Sequence, residues 1–293
     1  MRKCLVTGAS GFLGREVVAR LSRGWEVVGL SLRHGGAGLR RVDLRQPEAL
    51  RDVLADVRPD LVVHCAAYRD PDFCERDPEE TRRLNVQPAR VLCESLPAAA
   101  RLVFISSDYV FDGDHPPYFE DSPRRPLSLY GRSKVEAEDI VLGRAGSVVI
   151  RNPVMIGAGP DAESSGFITQ MWRAIRDRRP VERDDLRIRF PTWTRDVAAA
   201  VEFVVEKGLG GAFHVSGPRG GTAYALTMET AAILGQPAGH IRPSKAIPPG
   251  QAPRPQNSQL ATDKLRSLGC LGFTDFAVVV RTVLESFGIA VRR

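Results

Sequence analysis

Along the first half of the chain, short unbroken apolar runs take turns with longer stretches in which apolar residues recur every three or four positions. The runs Cys4-Leu5-Val6, Val27-Val28, Leu61-Val62-Val63, Leu102-Val103-Phe104-Ile105 and Val148-Val149-Ile150 are too short for helices. Without polar alternation, they predict strands buried on both faces. Val42-Asp43-Leu44 is assigned as a further strand. Helical spacing follows Gly11 as far as Leu21, runs from Pro47 to about residue 57, and covers 78–97, where the internal Pro88 predicts a kink or break. Another helix begins at Leu129.

Strands that alternate with helices at this rhythm predict an α/β fold, a Rossmann-type doubly wound parallel sheet, over residues 1–155. Beyond that the alternation loosens. Helices are predicted over 167–178 and from Thr194 through Glu206, a short strand at Phe213-His214-Val215, and a proline-rich segment over 243–255. Residues 156–293 are therefore expected to form mainly a small substrate lobe, with some segments returning to the sheet domain.

The first strand runs directly into Gly8-Ala9-Ser10-Gly11-Phe12-Leu13-Gly14 and then a helix. In that context Gly8 allows a tight turn, Gly11 lets backbone approach a pyrophosphate, and Gly14 lets helix pack closely on strand. A dinucleotide is the predicted ligand. Its crevice lies beyond the strand carboxyl ends, where Gly8, Ala66, Ser107 and Pro153 fall, and the small Ala66 and Ala67 let a cofactor lie close. After the second strand come Ser31-Leu32-Arg33-His34, without the acid that holds a ribose hydroxyl. Arg33 favours the 2′-phosphate of NADP(H) over NAD(H).

Tyr130 and Lys134 are four residues apart on a predicted helix and project from one face, about 5–6 Å apart at Cβ. A nearby ammonium is expected to lower the phenol's pKa from its usual value of about 10 and suit it to proton transfer. Ser107, closing the fifth strand, offers a hydroxyl to a substrate carbonyl. The three together are candidates to polarise and protonate a ketone. His64, within an apolar strand, reads as a satisfied core histidine.

The composition is that of an ordinary globular chain: 293 residues, 43% hydrophobic and 26% charged. No apolar run reaches the roughly 18 residues of a membrane helix, and the N-terminus enters the glycine motif at once, so a cytoplasmic protein is expected. Five cysteines without a C-x-x-C pair predict reduced, mostly buried thiols and no metal site. The net charge of +6 is carried by arginines interleaved with acids, the pattern of a solvated face rather than a nucleic-acid surface. Anionic small molecules such as nucleotide diphosphates fit better.

Four segments, Thr7-Gly8-Ala9-Ser10-Gly11-Phe12-Leu13-Gly14, Ser106-Ser107-Asp108-Tyr109-Val110-Phe111-Asp112-Gly113, Tyr130-Gly131-Arg132-Ser133-Lys134 and Arg254-Pro255-Gln256-Asn257-Ser258-Gln259-Leu260, together resemble the extended short-chain dehydrogenase/reductases, and within them the dTDP-4-dehydrorhamnose reductase family. The resemblance implies reduction of a nucleotide-activated 4-keto-6-deoxy sugar by NAD(P)H, with Ser107, Tyr130 and Lys134 catalytic and Asp72, Ser107, Asp108 and Arg254 on the substrate side. Epimerases share the fold. Dehydratases carry Asp-Glu after the catalytic Ser or Thr, and Tyr109 follows Ser107-Asp108 here. The reductases usually follow the sixth-strand Arg with Thr-Ser-Trp, whereas this chain has Arg151-Asn152-Pro153-Val154-Met155. Leu32-Arg33-His34, the 69–72 region, Arg189-Phe190-Pro191-Thr192 and the proline after Arg151 are similar to a related branch, the regulatory beta subunit of methionine adenosyltransferase. That branch implies NADP(H) lined by Ser10, Gly11, Phe12, Leu13, Leu32, Arg33, His34, Asp43, Leu44, Cys65, Arg69, Tyr130, Lys134 and Met155, and a partner enzyme. On the catalytic reading the partners are a nucleotide sugar and a second copy in a homodimer.

Overall fold

The computed structural model describes residues 2–33, 38–159, 163, 165–270 and 272–291. A seven-stranded parallel sheet runs in the order β3-β2-β1-β4-β5-β6-β10, built from β1 (Lys3–Thr7), β2 (Glu26–Ser31), β3 (Leu39–Arg41), β4 (Leu61–His64), β5 (Arg101–Ser107), β6 (Val148–Asn152) and β10 (Gly211–His214). Both faces are covered, which is why the strands carry no polar alternation. On one face, Cys4, Val6, Val63, Val103 and Ile150 meet α1 (Phe12–Leu21) and α8 (Thr194–Glu206); on the other, Leu5, Val62, Leu102 and Phe104 meet α2 (Pro47–Val57), α5 (Gln87–Ser95) and α6 (Leu129–Leu142).

Of the local expectations, the bounds of the third strand are corrected and the break near Pro88 is found, while one helix was not foreseen. The third strand is Leu39–Arg41 rather than 42–44. Val42 still donates to Ser31 O, but the chain then leaves the sheet edge, because Asp43 turns to accept from Arg45. The stretch 78–97 is two helices, α4 (Pro78–Asn85) and α5, with the break at Val86, ahead of Pro88. A helix absent from the periodicity, α3 (Pro71–Arg76), starts where Asp70 caps Asp72 N.

In the second half, α7 (Phe167–Arg176), α9 (Ala223–Leu234) and α11 (Phe276–Ser286) close a separate apolar core. Two small parallel pairs accompany them: β7 (Met155–Ile156) with β9 (Thr192–Trp193), and β8 (Val181–Asp184) with β11 (Ile241–Ser244), the latter at the start of the proline-rich segment. From this half α8 packs on α1 and β10 pairs with β6. All five cysteines are free thiols, Cys4 and Cys74 buried, the other three half-buried. No described helix is long and apolar enough to cross a membrane.

Candidate active site

The site begins where β1 ends. Gly8 has φ +64°, and a Cβ there would lie 3.0 Å from the Ala66 backbone. A Cβ on Gly14 would lie 2.1 Å from Gly8 O. Only glycine lets this turn, the first turn of α1 and the end of β4 approach so closely. Thr7 Oγ1 accepts from Cys65 N at 3.1 Å and Ala66 N at 3.3 Å, tying β1 to β4 at the topological switch point. The N-cap of α1 is Gly11, which has no side chain to satisfy the helix's first N–H groups.

Above them is a cavity of about 360 Å³ whose walls include Gly8, Ser10, Gly11, Phe12, Leu13, Gly14, Leu32, Asp43, Leu44, Cys65, Ala66, Ala67, Arg69 and Met155, all predicted cofactor residues. Arg45 and Tyr68, which sequence reasoning missed, also line it; nothing in the local pattern distinguished them. Arg45 holds the Asp43 carboxyl below its usual range, and pairs with Glu80 as well. Arg33 is exposed and outside these walls. His34 lies outside the described residues.

A second cavity, about 220 Å³, shares Cys65, Ala67, Arg69, Ile105 and Met155 with the first and adds Ser107, Asp108, Tyr109, Tyr130, Lys134, Asn152 and Arg189. The three predicted catalytic side chains thus meet in one cavity. β5 delivers Ser107 beside Asn152 of β6; its hydroxyl donates to Asp108 Oδ1 at 3.0 Å. Tyr130 starts α6, which Ser128 caps through Gly131 N, and its ring meets Tyr109 edge-on with centroids 5.7 Å apart. Lys134 Nζ donates to Ile105 O at 2.7 Å and lies over the Phe104 ring.

Electrostatics correct one expectation. Burial lifts the Tyr130 phenol above its usual range, opposed by its hydrogen bond with Ser107, and the Asp108 charge adds to the rise. Lys134 does not lower it, because the ammonium is aimed at Ile105 O and is itself pushed down to about 8 by burial. Asp108 is pushed up to about 6 by burial, against hydrogen bonds from Ser258 and Ser107. His64 is half satisfied: Nδ1 bonds Thr7 Oγ1 at 2.7 Å, Nε2 has no partner among the described residues, and burial pushes its pKa down to about 3.

Asp72 and Arg254, both assigned to the substrate side, form an ion pair with each other at 2.7 Å and do not line the second cavity. Tyr109, Asn152 and Arg189 do line it. All three stand in segments that carried the family resemblance or its departures, so the signal was present without a role attached.

Over residues 1–289 the chain matches the family described as RmlD substrate binding domain. It belongs to that family. Among relatives of this RmlD-family chain, methionine adenosyltransferase 2 subunit beta of Rattus norvegicus is 36% identical over 98% of this chain and 88% of its own length. A probable dTDP-4,6-dihydroxy-2-methyloxan-3-one 4-ketoreductase of Streptomyces antibioticus is also 36% identical, over 94% of this chain and 92% of its own length. Of solved structures, a dTDP-4-dehydrorhamnose reductase from Clostridium acetobutylicum superposes with TM-score 0.86 at 25% identity, covering 98% and 99% of the two chains. A Thermus thermophilus UDP-glucose 4-epimerase in complex with NAD superposes with TM-score 0.83 at 26% identity, over 98% and 99%.

Proposed function

We propose that this RmlD-family protein is an NADPH-dependent reductase of a nucleotide-activated 4-keto-6-deoxy sugar. The observation that carries the reading is the meeting of Ser107, Tyr130 and Lys134 in a cavity that shares a wall with the glycine-floored one. The NAD-bound epimerase relative and the uncapped α1 terminus above Gly8 support a nicotinamide cofactor. Arg33 carries the preference for NADP(H).

When bound, that cofactor supplies hydride to the carbonyl carbon. Ser107 holds the carbonyl oxygen, and Tyr130, buried and protonated at neutral pH, gives its proton to that oxygen as negative charge develops on it. Lys134, whose ammonium is held on Ile105 O of β5, would help to hold the cofactor.

A second reading, a cofactor-binding regulatory subunit with a partner enzyme, is favoured by the 36% identity to the methionine adenosyltransferase subunit and by Asn152-Pro153 in place of the reductases' Thr-Ser-Trp. The test is NADPH oxidation over a panel of nucleotide 4-keto-6-deoxy sugars. Turnover that Tyr130→Phe reduces by about 10² to 10⁴, with NADPH still bound, supports the reductase. Equal rates in parent and Tyr130→Phe overturn the role of the phenol. Tight NADPH binding without turnover on any sugar, together with a stoichiometric complex with a methionine adenosyltransferase, establishes the second reading instead.

A further inference from the structure

Helix α6 carries a third polar residue on the face of Tyr130 and Lys134. Glu138 stands one turn beyond Lys134, fully buried. Its carboxylate accepts from Ser106 Oγ at 2.5 Å, from Arg151 through Nε at 3.0 Å and a terminal nitrogen at 2.8 Å, and from Arg124 at 3.1 Å. Ser106 precedes Ser107 on β5, and Arg151 precedes Asn152 on β6. One carboxylate therefore ties α6 to the last residues of the two strands that frame the candidate catalytic cavity.

The same carboxylate bears on Lys134. Around the ammonium are the Phe104 ring and Ile105 O from β5, neutral His64 at the end of β4 and the Cys65 thiol just past it, the Cys74 thiol from α3, and Glu138 from its own helix. Both thiols are held protonated by burial. Glu138 is the carboxylate of that set, and its attraction opposes the burial that favours neutral lysine. Arg124 and Arg151 are cations held on the same carboxylate, and a like charge nearby disfavours an ammonium.

We propose that Glu138 is the positioning residue of the Tyr130–Lys134 pair, locking α6 in register against Ser106 and Arg151 and keeping the Lys134 ammonium charged. The proposal rests on the reductase reading for its purpose, but its test needs neither cofactor nor substrate. The chain has five lysines, Lys3, Lys134, Lys207, Lys245 and Lys264, so carbon-13 labelling of lysine Cε gives five NMR signals. The Lys134 signal is identified by its loss in Lys134→Arg.

In the parent, Lys134 is expected to titrate below the usual lysine range, pushed down to about 8 by burial. In Glu138→Gln the midpoint falls by about 0.5 to 1 pH unit, because an opposite charge that favoured the ammonium is gone. In Arg124→Gln, which strips a rim cation from Glu138 and leaves the buried pair with Arg151, it rises by a few tenths. Opposite shifts from two variants of one cluster are not produced by loosened packing. An unchanged midpoint in Glu138→Gln, or one in Arg124→Gln that fails to rise, overturns the proposal. If Glu138→Gln does not fold, Arg124→Gln decides alone. Absence of NADPH binding or turnover would defeat the reductase reading without moving these titrations.

Discussion

Arg33 follows the end of β2 as a side chain exposed to solvent, next in sequence to Leu32 of the larger cavity's wall. A guanidinium there gains most from a doubly charged phosphate and little from a neutral hydroxyl. Comparing dissociation constants, NADPH is expected to bind more tightly than NADH, and Arg33→Ala to weaken NADPH about tenfold, or roughly 1.4 kcal/mol, while leaving NADH unchanged. Equal affinity for the two in the parent would remove the NADP preference. At this scale the sequence was legible wherever chemistry follows from spacing along one element. Tyr130 and Lys134 share a helix face by periodicity, and Ser107 ends an apolar run. Arg189 and Asn152 stood in segments that the resemblance marked, but their place in the site was not legible, since they reach the cavity through tertiary contacts between segments tens of residues apart. The direction of Tyr130's titration was misjudged for a related reason: spacing brings the lysine near, but Ile105 O decides where its ammonium points.

Helix α6 shows how closely an element has to fit to present such residues. Glycine in a helix interior costs about 1 kcal/mol relative to alanine, yet Gly131 lies in the first turn, between the candidate acid and the rest of the helix. A Cβ there would stand 2.2 Å from Tyr109 O. Gly131→Ala is expected to lose about 1 to 3 kcal/mol in denaturant unfolding, by overpacking against backbone. Gly143→Ala, at the far end of α6, where the added Cβ sits 3.4 Å from Asp139 O, should be close to neutral and serves as the control. Comparable losses at both ends would mean that α6 is not seated on the Tyr109 turn. Elements bounded by strong punctuation were read well, as with Pro47 opening α2 and Pro78 opening α4. The lobe was read poorly because β7, β8, β9 and β11 are two to four residues long and paired to distant partners, so no local period marks them.

For the molecule as a whole, buried titratable groups set the response to acid. His64 and His214 are both pushed down to about 3, chiefly by burial, from an unfolded value of about 6.5. Below pH 6.5 the unfolded chain takes up protons that the folded one refuses, so each costs stability as pH falls toward 3. Asp108, raised to about 6, acts in the opposite sense between about 6 and 4. One unmatched proton remains, and stability should fall by roughly 1.4 kcal/mol per pH unit from pH 6 to 4. Asp43 and Asp72, held low by Arg45 and Arg254, steepen the loss near pH 4. Urea midpoints across that range check this, and a flat profile would mean that the histidines are not buried neutral.

The seventh strand of the sheet comes from residues 211–214, well after the chain has passed into its second half. Until β10 arrives, β6 is the sheet's outer strand, wholly buried in the finished protein and presenting unpaired backbone groups beside Val148, Val149 and Ile150. A fragment ended at residue 155 would contain the glycine motif, Ser107, Tyr130 and Lys134 and still leave that edge bare for other chains to join. Shortening this protein to its cofactor half invites aggregation, and soluble expression depends on residues that take no part in the chemistry.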